Sequence, residues 1–492
     1  MVALDELREL VASRREWLLI REIGSTFPLE SHEIEILEDG EKALFGFLDD
    51  KGFHSWRLNK FHCKGDEISV DVAGAFAKNR ETMRLVPRTL ASQMAAELEM
   101  ARLTKANEVA SVIAQYRPGI KLGRVALNEP NGRLAHINFN TADGVSMAAV
   151  ADITGKLTVE SIFTAAMLWV ERLGLRKKGP VNDIWIICEK RQARNAQKLH
   201  ALLTERWKRK ITIVEIIRKD EPPRLAELPK RRISELWREK ATKLTLPGMA
   251  TESMVARAIS DLSPADIDLI YSRQGETLRF MGLPFARIRR IMGIEKAWFG
   301  TGRDRRTLTI ENWDDMVQLV ESLIQNRSAN GANKRHEQYR ATPEAWLESI
   351  LRRNINLLDA NLILSPIYNQ FRSSNDKIDL LALRRDGRLV IIELKTQPDR
   401  EMVFQAADYW RKIELQRRRG VLAAANLFDG REIADKPAII YLAAPAWSFH
   451  RDFEFFARTI SPEIELWRFE LHENWRETVR VIARHNYAQA PA

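Results

Sequence analysis

Three residues near the carboxyl end are of types that can do chemistry together. In "IDLLALRRDGRLVIIELK" (378–395), Asp379 opens one apolar run, and Glu393 and Lys395 close a second. Near-continuous apolar runs fit central strands covered on both faces. The turn between them holds Asp386-Gly387, and glycine supplies the positive φ a tight hairpin needs. With a three-residue loop, Arg385 to Gly387, Arg384 pairs with Arg388 and Asp379 lies opposite Glu393. Lys395 is two residues further on and shares their face. A two-residue loop would turn Asp379 to the other face. Two close carboxylates repel, and each is costly to bury unpaired. A divalent cation relieves both penalties, and magnesium commonly takes one or two protein carboxylates while keeping several waters. With Lys395 orienting a water, that arrangement suits attack on a phosphodiester. The competing reading is a plain ion-pair cluster of one lysine and two acids.

Helices must position the remainder. "TPEAWLESILRRNINLLD" (342–359) opens with a Thr-Pro start signal and carries Glu344 and Glu348 ahead of the strands. Glu348 is the acid expected to point back at the site. Downstream, "EMVFQAADYWRKIEL" (401–415) is helical by pattern, and Gln405 and Tyr409 are four apart, hence on one face.

The order Glu348, Asp379, Glu393-x-Lys395, Gln405-x-x-x-Tyr409 resembles the PD-(D/E)XK nuclease superfamily. It is most similar to branches with the Gln-x-x-x-Tyr helix, such as RecB-like nucleases and the carboxy-terminal domain of NucS-type endonucleases. The resemblance covers roughly residues 341–470, under a third of the chain. It implies a restriction-endonuclease-like mixed sheet flanked by helices. It also implies Mg²⁺ or Mn²⁺ held by Asp379 and Glu393, with Glu348 assisting and the Leu394 carbonyl contributing. Lys395 would orient the nucleophile and stabilise developing charge, with Gln405 and Tyr409 supporting it. No proline precedes Asp379, where Lys377-Ile378 stand; many members lack it too.

The chain has 492 residues, too many for one ordinary domain. Residues 1–80 read as a small β-rich module, with hairpin signals in "EDGE", "DDKG" and "KGDE". Residues 81–217 read as an α/β domain. Residues 218–340 read as a linker and helical region, and 341–492 as the nuclease-like domain. "LNEPNGRLAHINFN" (127–140) matches "LALRRDGRLVIIELK" (381–395) without gaps when Gly132 is set on Gly387. "FTAAMLW" (163–169) then follows in the order of "FQAADYW" (404–410). The match predicts a degenerate second copy of the fold. In it Arg124, Asn138 and Asn140 stand for Asp379, Glu393 and Lys395, and Thr164 and Leu168 for Gln405 and Tyr409.

The net charge is +10, which favours a polyanionic partner. Arg287, Arg289, Arg290, Arg303, Arg305 and Arg306, interleaved with Phe285, Trp298 and Phe299, are candidates for phosphate contact and base stacking. A solvated helix face is the blander reading of that stretch. "QRRRG" (416–420) is a further basic run. Cys63 and Cys188 build neither a disulfide framework nor a metal pattern, and His450, His472 and His485 have no partner spacing. The amino end is unlike a secretory signal and no apolar run is long enough for a membrane, so the expected place is the cytosol. The expected activity is metal-dependent cleavage of DNA, with RNA left open. A non-catalytic nucleic-acid binder and a scaffold with a vestigial fold are the alternatives, and a homodimer is compatible with all three.

Overall fold

A computed structural model describes the chain except residues 1–3, 22–25, 40–41, 50–51, 74–79, 89–90, 129–131, 175–180, 182, 219–222, 241–251, 273–274, 292–293, 303–304, 332, 366–378 and 488–492. It is a mixed α/β chain with four sheets. It parts into two compact units, 1–101 with 302–304, and 102–301 with 305–492. The first holds the helix Leu4–Ala12 and a seven-stranded antiparallel sheet that runs from Glu16 to Pro87. Alternating inward residues, among them Trp17, Leu19, Phe45, Phe47, Val70 and Leu85, form its core.

The sheet that follows comprises β1 (Lys121–Leu127), β2 (Leu134–Asn140), β3 (Ser146–Asp152), β4 (Asp183–Glu189), β5 (Ile211–Ile217) and β6 (Arg224–Glu227). Helix α1 (Ala91–Tyr116) precedes it, α2 (Val159–Gly174) follows β3, and α3 (Lys190–His200) follows β4. Carboxy-terminal to this lies a second such set. Its elements are α4 (Pro343–Arg353), β7 (Leu362–Leu364), β8 (Leu380–Arg384), β9 (Leu389–Leu394), α5 (Met402–Arg418), β10 (Ile439–Pro445), β11 (Glu465–Leu471) and β12 (Val481–Asn486).

Both sheets run in sequential strand order. In each, the first three strands are antiparallel, the third to fifth parallel, and the sixth antiparallel. The two sheets therefore share one strand order, and the hairpins that correspond in it differ from those of the gapless match. The turn equivalent to Gly387 is at Gly144, not Gly132. Thr141 N–H donates to Val145 O (3.0 Å) and Gly144 N–H to Thr141 O (2.9 Å), as Arg384 N–H does to Arg388 O and Gly387 N–H to Arg384 O (both 2.8 Å). Gly144 and Gly387 have φ of 77° and 80°. The gapless match slid one hairpin along because consecutive hairpins both combine a glycine turn with apolar strands.

The stretch 233–326, expected to be helical, is instead a five-stranded antiparallel sheet between two helices, Met254–Ser260 and Trp313–Asn326. Its central hairpin turns at Met281 and Gly282, with φ of 44° and 80°, the paired positive angles of a tight two-residue turn. A Cβ on Gly282 would come within 2.0 Å of the Ala345 carbonyl oxygen, so only glycine lets this hairpin seat on the first turn of α4. The buried Arg327 fastens the same junction. Its Nη1 donates to the carbonyls of Gln338 (2.6 Å) and Ala341 (2.7 Å), and its Nη2 to that of Met281 (2.9 Å).

One core lies between the two repeated sheets and includes Phe163 and Met167 of α2 and Phe404 and Trp410 of α5. The outer face of the second sheet packs Leu380, Val390 and Ile392 on Trp346, Leu347 and Leu351 of α4. Among the described residues no helix is long and apolar enough to cross a membrane.

Candidate active site

The hairpin β8–β9 has the three-residue loop. Leu380 pairs with Ile392 and Leu381 with Ile391, so Asp379 falls opposite Glu393. The carboxylate of Asp379 reaches across the ladder, its Oδ2 accepting from Leu394 N–H at 2.9 Å. Lys395 Nζ lies 3.1 Å from Glu393 Oε1 and 3.2 Å from Asp399 Oδ2. Asp379, Glu393 and Lys395 thus converge at the carboxyl end of a central strand, where parallel neighbours open a crevice.

Glu393 is 3% exposed, and among the described residues its buried Oε2 has no hydrogen-bond partner. Burial first, and then the charge of Asp379, hold its carboxyl well above the usual range. Lys395 is the reverse case. Burial works against its charge, but Glu393 and Asp399 outweigh that and raise it. The charge of Glu344 acts on both groups. Glu348 is buried one turn further along α4, 3.8 Å from Arg352.

Gln405 and Tyr409 lie one turn apart on α5 and are half-buried. The helix rests on β9 and β10, but the Lys395 ammonium is held by Glu393 and Asp399 rather than by Gln405. The Tyr409 ring has Lys412 5.6 Å from its centre. Asp399, which arrives from the loop after β9, and Trp447 belong to no motif in the sequence and join the candidate site through the fold. Trp447 is 85% exposed after β10, and its neighbour Ser448 donates to the Thr396 carbonyl at 3.0 Å.

A divalent ion fits the donors of this hairpin. Two carboxylates and the adjacent Leu394 carbonyl suit magnesium, which needs no all-protein cage. The unpartnered Glu393 Oε2, in a carboxyl pushed up by a neighbouring acid, is the kind of atom a cation would satisfy. Among the described residues no group of three or more His, Cys, Asp or Glu is placed to hold a metal, so the fit rests on this pair alone.

The basic candidates lie on the middle sheet, not on a helix. Arg287 is exposed and Arg289 half-buried on the strand Leu283–Ile291; of Arg290 only the backbone is described. Arg303 lies outside the described residues. Arg305 is exposed, and Arg306 pairs with Asp315 at 2.9 Å. Phe285 and Phe299 are core residues and offer no stacking face, while Trp298 is half-buried. The arginines of "QRRRG" serve internal contacts. Arg417 and Arg418 bind the buried Glu414, and Arg419 donates to the Trp237 carbonyl. His472 Nδ1 accepts from Asn474 N–H and His450 Nδ1 from Asp452 N–H, local turn bonds; His485 lies 3.3 Å from Glu470.

No family model matches the chain, and no curated protein matches it in sequence. Two solved structures are similar to part of it. One is EndoMS in apo form, at 15% identity over 37% of this chain and 84% of that chain, with a TM-score of 0.14. The other is an EndoMS–dsDNA2 complex, at 15% identity over 37% of this chain and 83% of that chain, with a TM-score of 0.15. At these scores the likeness decides neither the fold nor the reaction.

Proposed function

We propose that the chain is a nuclease that hydrolyses phosphodiester bonds of DNA with Mg²⁺ or Mn²⁺ bound at Asp379 and Glu393. The observation that carries this is the Glu393 carboxylate, buried beside Asp379 and Lys395 with one oxygen unpaired among the described residues. A purely structural ion pair gains nothing from a second acid that repels the first. The bound ion would polarise the phosphate and lower the pKa of the attacking water. The residues of the chain do the rest. Asp379 and Glu393 provide the negative site, and Asp379 is fixed by Leu394 N–H. Lys395, positioned by Glu393 and Asp399, holds its charge where the pentacoordinate phosphate develops its own. Strand order and the position of the acids support a restriction-endonuclease-like reading of β7–β12. Trp447 offers an exposed aromatic face to a base at the rim.

The test is a cleavage and gel-shift assay on single-stranded, duplex and branched DNA and on RNA, with Mg²⁺ or Mn²⁺. Asp379→Ala, Glu393→Ala and Lys395→Ala should each abolish cutting, and Lys395→Ala should still bind metal, because an ammonium is no ligand. Nucleic-acid binding should survive all three. Binding without cleavage by the unaltered chain would favour a non-catalytic binder, and neither would favour a scaffold.

A further inference from the structure

The sheet occurs twice, and only the carboxy-terminal copy keeps its acids. The hairpin equivalence sets His136 at the position of Asp379, Val150 at that of Glu393 and Asp152 at that of Lys395. Each is committed elsewhere. Val150 is fully buried in the apolar core. His136 stacks on Trp169 at 4.3 Å, and burial pushes its pKa down to about 4, so it is neutral. Asp152 accepts from the N–H groups of Thr154, Gly155 and Leu157.

The two copies meet through equivalent segments. Thr204 N–H donates to Thr459 O and Ser461 N–H to Leu202 O, both 2.8 Å, around an antiparallel bridge of Leu203 with Ile460. Phe163 of α2 faces Phe404 of α5 at 6.2 Å. Thr158, just before α2, donates to Glu401, just before α5, at 2.7 Å. Reciprocal contact between equivalent segments is the mark of a two-fold pair. Thr158 and Glu401 end the loops that leave β3 and β9, so these two loops meet.

Beside the lost site, α3 carries exposed positive charge. Gln192 of α3 donates to Asp152 Oδ2 at 3.3 Å, so α3 begins at the carboxyl end of β3. Lys190, Arg191 and Arg194 of the same helix are exposed, and among the described residues no salt bridge engages them. They line a cleft of about 760 Å³ with Lys198 and Arg231, which Glu239 pairs at 2.9 and 3.3 Å. The corresponding stretch after β10, 446–452, holds one exposed arginine, Arg451, which Asp452 meets at 3.7 Å.

We propose, resting on the nuclease reading above, that the chain takes duplex DNA across its internal two-fold and cuts one strand per encounter. The amino-terminal copy grips phosphate through Lys190, Arg191 and Arg194. A two-fold pair of sheets matches the two-fold relation between duplex strands, one site to each strand. With Val150 and His136 in one site, only the strand at Asp379 and Glu393 is hydrolysed. The oxygen of water forms a new bond to phosphorus, the ester bond to one sugar oxygen breaks, and that oxygen leaves with the proton. The internal copy takes the place a second subunit would fill.

The experiment incubates the full chain with covalently closed supercoiled plasmid and Mn²⁺, at less than one chain per plasmid. Open circle should accumulate as the primary product, with linear DNA arising only after a lag from independent second cuts. Linear DNA formed at the same initial rate as open circle overturns the inference and leaves the nuclease reading standing. No cleavage of any DNA overturns both. Metal-free gel shifts on a duplex with Lys190→Glu, Arg191→Glu and Arg194→Glu combined should show at least tenfold weaker binding. The salt slope of that binding should fall by about 2 to 3, as three phosphate contacts require. Unchanged affinity, with an unchanged circular-dichroism melt, overturns the assigned grip.

Discussion

Replacing Glu393 with glutamine should stabilise the metal-free protein and remove its response to metal. The unaltered carboxylate is 3% exposed, has an oxygen without a partner and faces Asp379. An unsatisfied buried acceptor costs about 1–3 kcal/mol. Glutamine removes the repulsion, and its amide can donate toward Asp379. Its carbonyl still accepts from Lys395, which also keeps Asp399. Making that bond neutral rather than charge-assisted gives back about 1 kcal/mol. The net gain is about 1 kcal/mol, which for a domain of ordinary size raises Tm by about 2–4 °C. Metal acts in the opposite sense. At one hundred times its Kd, Mn²⁺ should stabilise the unaltered domain by about 2.7 kcal/mol, and the variant by much less. The assay is scanning calorimetry of the full chain in EDTA and across a Mn²⁺ titration. If Glu393→Gln melts lower in EDTA, or both proteins gain equally from Mn²⁺, Glu393 is simply the partner of Lys395. The metal-site reasoning then fails without any activity having been measured.

Two further outcomes follow from single side chains. Trp447→Ala should weaken binding of single-stranded or nicked DNA by about 1–3 kcal/mol and leave the melting curve in place, because Trp447 is 85% exposed; unchanged affinity by fluorescence anisotropy removes it from the interface. His200 is 1% exposed, with Nε2 3.0 Å from the Ile211 carbonyl, and burial holds its pKa down to about 4. Between pH 6.5 and 4 the unfolded chain binds a proton the folded one does not, so this contribution is full above pH 6.5 and lost as pH falls to about 4. It amounts to on the order of 3 kcal/mol. His200→Gln should flatten the denaturant midpoint against pH in that window, and an unaltered slope would show that another group governs it.

The local geometry of the candidate site was legible in the residues themselves. An Asp-Gly turn between two apolar strands fixes the loop, the loop fixes register, and period two then places Asp379, Glu393 and Lys395 on one face. All of these effects act within a few residues of chain. The repeat was legible as a recurrence, but not its alignment. Gly132 and Gly144 both make good turns, and only the partner strands β1 and β4 show which hairpin corresponds to that of Gly387. The middle sheet was misread because "FMGLPFARIRRI" lacks clean alternation, and the hairpin at Met281-Gly282 depends on close backbone approach to Ala345. Glu344 and Glu348 share a helix face, so their own spacing cannot choose between them. The seating of α4 on β8 and β9 brings the charge of Glu344 to Glu393 and Lys395, and Glu348 lies 3.8 Å from Arg352. Asp399 and Trp447 come beside the candidate site, and the cluster on α3 beside the equivalent strand ends of the other sheet, only when segments distant in sequence close together. That closure is decided by burial of Phe163 against Phe404 and by the bridge at Leu203 and Ile460. Both are contacts between halves of the chain, and no local pattern encodes them.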